Sequence, residues 1–178
     1  MSREEFLTKL WIWLSLSGFA LSGATYCLSR GRQKWDRFAR YLYTFAFITL
    51  VVHVGFAYHL YHHWSQDAVY QETARQTAEI FGWNWGGGLY VNYAFMLGWL
   101  IDVIWWWRGL DTYHARPKLL AVVWQVFLLF IIFNATVVFA SGIVRWLGLG
   151  LCFTLCLLWW LTSTSRTSYQ PMRQTGDH

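Results

Sequence analysis

Apolar residues gather in five runs separated by short polar stretches, at about 10–28, 41–61, 89–107, 119–140 and 146–161. A helix rising ~1.5 Å per residue needs about 20 residues to cross ~30 Å of hydrocarbon, and each run is near that length, the last being the shortest. The pattern predicts an all-α integral membrane protein, a bundle of five transmembrane helices forming one domain over residues 1–162. Residues 163–178, rich in Ser, Thr and Gln, read as a disordered tail.

Only the connection from Trp64 to Gly88 is long. Ser65 is placed to cap a helix, with Asp67 in its first turn where the helix dipole favours an acid. Tyr70, Ala74, Thr77, Ala78 and Phe81 then recur at helical spacing, while Glu72, Arg75 and Glu79 stand three and four apart on the other side. This predicts a short external amphipathic helix, ended by Gly82 and turned into the third run by Gly86, Gly87 and Gly88. The glycines are no phosphate cradle, because no Gly-Lys-Ser/Thr follows them.

Composition agrees with the membrane class: 56% of residues are hydrophobic and 13% charged. The net charge of +5 gives no nucleic-acid surface, because the cations sit at the ends of the runs. Ten of the 14 Lys and Arg residues occupy alternate flanks: Arg30, Arg32, Lys34, Arg37 and Arg40, then Arg108, Arg116 and Lys118, then Arg166 and Arg173. The positive-inside rule makes these flanks cytoplasmic, with the N-terminus outside and the C-terminus inside a plasma membrane of bacterial type. The lipid bilayer is the implied partner, with a homo-oligomer or a larger membrane complex as the setting. Ser22-Gly23-Ala24 offers a signal-peptide cleavage pattern, but Glu4 and Glu5 cancel the n-region charge and basic residues follow the run, so it reads as a retained helix. Trp83, Trp85, Trp105, Trp106 and Trp107 fit interfacial aromatic belts. Cys27, Cys152 and Cys156 make no CxxC, and Gly148, Cys152 and Cys156, like Gly18 and Ser22, form small-residue rows for close helix packing.

His53, His59, His62 and His63 fall within eleven residues near the outer end of the second run. Spacings of three and four place His59, His62 and His63 on one broad helical face, where imidazoles suit copper, iron or haem, and Glu72 offers a carboxylate. The bland alternative is an interfacial belt of histidines and aromatics. His59-Leu60-Tyr61-His62-His63 resembles one HxxHH histidine box of membrane fatty-acid desaturases and hydroxylases over these five residues; no second box is present and the charge pattern places this one outside, so no assignment follows. Size and Trp content are similar to the tryptophan-rich sensory or translocator proteins, whose prolines near Trp are not matched by Pro117 and Pro171.

Polar residues deep inside apolar runs are costly and informative. Counted from the inner end at ~1.5 Å per residue, His53, Asn92 and Asn134 come out at roughly the same depth, ~20 Å. They predict a ligand pocket with Tyr93 beside it. Asp102 and Gln125 share a lower level as an inner polar pair, and Asp102 is expected to pair with Arg108 or to reach the interface. Asn134-Ala135-Thr136 matches a glycosylation sequon but lies inside the fourth run. No motif assigns a reaction. The reading is a non-enzymatic ligand- or lipid-binding bundle, or an accessory subunit, with a polar site near the outer face; the alternative is a histidine-liganded metal or haem redox protein.

Overall fold

The computed structural model describes residues 3–29 and 32–167, with side chains up to 160. Its elements are α1 (Arg3–Leu28), α2 (Gln33–His62), α3 (Gln66–Phe81), α4 (Gly88–Arg108), α5 (Leu110–His114), α6 (Lys118–Phe133), a π-helical turn (Asn134–Val138) and α7 (Ile143–Thr167), with no strand among the described residues. Five of these segments are long and apolar enough to cross a membrane: α1, α2, α4, α6 with its π turn, and α7 to Trp160. The expected tail is helical as far as Thr167, and 168–178 lie outside the described residues.

Helices overrun several of the apolar runs. Gln33 to Arg40 form the first turns of α2 rather than a loop, because Lys and Arg are good helix formers even where they end an apolar stretch. The α1–α2 turn is correspondingly short. α2 ends where His63 and Trp64 adopt left-handed φ values of 48° and 62°, and the Trp64 N–H donates to the Tyr58 carbonyl at 3.1 Å.

α1 and α2 make the tightest pair, antiparallel and in a regular register. The Ser15 and Ser22 hydroxyls donate to the Ala46 and Ala39 carbonyls, each at 2.8 Å, and His53 Nδ1 lies 2.9 Å from the Thr8 carbonyl. Thr8, Ser15, Ser22 and Ser29 recur every seven residues on α1, opposite Ala39 and Ala46, both fully buried on α2. Seven residues is two helical turns, so the small hydroxyl residues form one seam. Gly18 sits within it: a Cβ there would be 3.2 Å from that of Ala46.

Beside this pair runs an aromatic column. Phe95, Trp99, Tyr43, Trp106 and Tyr113 follow one another at centroid separations of 5.3, 5.3, 5.5 and 4.6 Å, the last pair stacked nearly parallel. All five are buried. Trp106 therefore belongs to the core, not to an interfacial belt, whereas Trp83, Trp85 and Trp107 are exposed. Outward faces carry apolar side chains such as Leu21, Ile48, Leu97, Ile101, Val123 and Phe153.

α3 forms as its spacing predicts. Ser65 Oγ accepts from the Ala68 N–H at 3.2 Å, and Gly82 closes the helix at φ 78°. Its inward stripe is Val69, Ala74 and Thr77, with Phe81 left exposed. α5 has no counterpart in the apolar runs. Gly109, at φ 154° and ψ 145°, takes a conformation open essentially to glycine and folds α5 back against α4.

Candidate functional site

Between α1, α2, α4 and α6, in the half of the bundle nearer α3, lies a cavity of about 210 Å³. Its walls are apolar side chains such as Leu16, Phe19, Phe95 and Ile132, and His53, Asn92 and Trp99 are among the lining residues. The Thr8 carbonyl can only accept, so the proton of neutral His53 is on Nδ1 and Nε2 is left as an acceptor. Trp99 is 2% exposed, and its indole N–H has no partner in the protein. Ser15 also lines the cavity, but its proton is given to Ala46. The His53 imidazole and the Asn92 amide thus interrupt a lining that is otherwise almost wholly hydrocarbon, while the Trp99 N–H is sealed among its aromatic neighbours. Such a surface can orient an apolar molecule through a single hydroxyl or carbonyl.

Two residues expected in this pocket are placed elsewhere. Asn134 Nδ2 donates to the Phe130 carbonyl at 2.7 Å, and Ala135 lines the cavity in its stead. Depth along a helix does not fix direction around it: Ile131, Ile132 and Ala135 share the inward face, and Asn134 stands on its flank. Tyr93 is one step around α4 from Asn92. Its hydroxyl pairs with that of Tyr58 and donates to Gln66 Oε1 at 3.0 Å, tying α2, α4 and α3 together beside the cavity.

The expected metal set is not assembled. Among the described residues no three His, Cys, Asp or Glu side chains converge to hold a metal ion. His59 and His62 lie in the last turn of α2, but His63 has left the helix, so the three do not share its face. Glu72 is committed to its own helix, accepting from Arg75 at 2.6 and 2.9 Å and from Gln76 at 2.8 Å. The Arg75 guanidinium bonded to it, helped by Gln76, holds the Glu72 carboxyl down at about 2. Arg75 also pairs with Glu79.

At the opposite end Asp102 is buried and pairs with Arg116, not Arg108, at 2.8 Å, and it accepts from the Tyr113 hydroxyl at 3.1 Å. α5 brings both partners back to it. Burial, and then the Asp102 carboxylate, push the Tyr113 hydroxyl well above its ordinary range. Gln125, Asp102 and Arg116 all line one chamber of about 60 Å³. Asp36 is a second buried carboxylate there, which the apolar pattern gave no reason to single out. It accepts from Ser29 Oγ at 2.6 Å and lies 3.6 Å from His114 Nε2. Its signal is the heptad of hydroxyl residues that ends at Ser29.

Comparison with protein-family models, curated proteins and solved structures finds no match. The class is therefore defined by the fold alone: an all-helical chain with five helices suited to a membrane, and a small apolar cavity near one end.

Proposed function

We propose that this chain is a small multi-pass membrane protein that binds, without transforming, a compact apolar molecule bearing one hydrogen-bonding group. The N-terminus and α3 are outside and the C-terminus is cytoplasmic, following the alternation of basic flanks. The exposed apolar faces of the long helices are then lipid contacts, and the site lies in the outer half of the bundle under α3.

The placing of His53 and Asn92 on an otherwise apolar cavity lining carries this reading. A hydroxyl or carbonyl on a ligand would bond to these two side chains while its hydrocarbon part fills the apolar space. An apolar cavity of about 150 Å³ is known to take up benzene, so about 210 Å³ suits a molecule of roughly two fused rings. The roles follow from the atoms: His53 Nε2 accepts, and the Asn92 amide serves either sense.

Equilibrium binding of 1-naphthol and of naphthalene to the purified protein in detergent tests this. The expected result is saturable 1-naphthol binding at one site, at least tenfold tighter than naphthalene, a preference lost in Asn92→Leu and His53→Phe. Equal affinity for the two probes, or no saturable binding of either, refutes the reading.

A further inference from the structure

At the end of the bundle opposite α3, a groove of about 280 Å³ opens between α1, α5, α6 and α7. Its lining joins two chemistries. His114, Arg116 and Lys118 are basic, Val122, Leu155 and Trp159 are apolar, and among the described residues no acidic side chain lines the groove, Asp36 standing behind it 3.6 Å from His114 Nε2. Asp102, the carboxylate that Arg116 pairs with, lies behind in the smaller chamber.

Arg116 is held rather than free. One guanidinium nitrogen is on Asp102 at 2.8 Å, and the group lies 3.9 Å above the Tyr113 ring. A guanidinium has five N–H donors in a rigid fork, and the bond to Asp102 leaves others for an oxygen in the groove. Lys118 and His114 are exposed at the rim. α6 also begins here, after Pro117, with no side chain capping it, so its first-turn N–H groups add partial positive charge to the same wall.

From this juxtaposition we infer that the groove is a binding site for the anionic headgroup of a membrane lipid. The phosphate lies between Arg116 and Lys118, and an acyl chain runs along Val122, Leu155 and Trp159. Charge complementarity selects an oxyanion, and the apolar wall beside it selects an oxyanion carried on a hydrocarbon tail. The groove stands where α6 and α7 meet the end of the bundle, the level at which a headgroup sits when α6 spans a bilayer. The site rests on the membrane reading above but not on the ligand proposed for the cavity at the other end.

Native mass spectrometry of the protein released from nanodiscs made of equal phosphatidylglycerol and phosphatidylcholine tests it. Wild type should retain about one phosphatidylglycerol per chain, at least fivefold over phosphatidylcholine. The exposed-residue variant His114→Gln/Lys118→Gln, with an unchanged melting temperature as its folding control, should lose that excess, as about fivefold per surface cation predicts. Equal retention of the two lipids, or full selectivity in the variant, overturns the site. Labelled inorganic phosphate binding the delipidated protein as tightly as phosphatidylglycerol would overturn the lipid source. Failure to enter nanodiscs counts against the membrane reading itself, whereas entry without headgroup selection counts against this site alone.

Discussion

Ser15 on α1 gives its hydroxyl proton to the carbonyl of Ala46 on α2, 2.8 Å away, and so fixes the register of the best-packed pair of helices in the bundle. Ser22 repeats the bond on Ala39 one heptad later, and the Thr8 carbonyl meets His53 one heptad earlier. In a hydrocarbon surround there is little hydrophobic drive to bring helices together, so close approach and such bonds carry association. His53 is positioned for the cavity by the same seam.

Ser15→Ala and Ser22→Ala should each lower stability by about 0.6 kcal/mol, the usual worth of one interhelical bond in a membrane bundle. Ser22→Leu should cost more, about 1–3 kcal/mol, because Ser22 is 2% exposed and the seam has no room for a branched chain. Unfolding in mixed detergent micelles measures all three. Equal losses for Ser22→Ala and Ser22→Leu would contradict the seam.

Asp102 and Arg116 are a buried pair, and their separate removal should be unequal to their joint removal. Arg116→Gln leaves the Asp102 carboxylate in the interior without its cation, with hydroxyls such as that of Tyr113 still donating to it, and should destabilise by about 3–5 kcal/mol. Asp102→Asn/Arg116→Gln should recover most of that. A double-mutant cycle by thermal unfolding gives the coupling, and additivity would show that the pair is worth nothing to the fold.

The five long helices were legible because length and apolarity alone decide them. The cavity was legible in part. His53 and Asn92 were found by depth, but depth says nothing of direction around a helix, so Asn134 was placed with them although its amide bonds to Phe130. Trp99, which also lines the cavity, was missed because an indole among aliphatic residues looks like any other core residue. Arg116 was missed as the partner of Asp102 because it is brought round by α5, whose return depends on the backbone of one glycine, Gly109. The histidine cluster failed as a ligand set for a similarly local reason: the helix that would align His63 with His59 ends before it.

The Glu72–Arg75 pair predicts how α3 responds to acid. The Glu72 carboxyl is held below its usual value of 4.5, at about 2, so the pair's contribution is fully present above pH ~4.5 and is lost as pH falls towards 2. Both side chains are well exposed, so solvent screening keeps the contribution small. Hydrogen exchange of the α3 amides should quicken slightly over that interval, and Glu72→Gln should remove the part of the change due to this pair. Exchange that quickens equally in the variant would place the acid sensitivity elsewhere.

Gly148 is where α7 rests on the π turn. A Cβ built there would lie 2.6 Å from Thr136 Cβ and 2.8 Å from the Thr136 carbonyl oxygen, and the second contact is with backbone that cannot swing aside. Thr136 is itself held, its hydroxyl donating to the Ile132 carbonyl at 2.7 Å. Gly148→Ala should therefore cost about 1–3 kcal/mol despite the better helix propensity of alanine. Gly150→Ala, two residues on, meets nothing within 4 Å and should be neutral or slightly stabilising. Comparing the melting temperatures of the two variants in one detergent isolates the packing from the propensity. A stabilised Gly148→Ala protein would mean that α7 does not seat on the π turn, and would remove the support that holds Ala135 against the cavity.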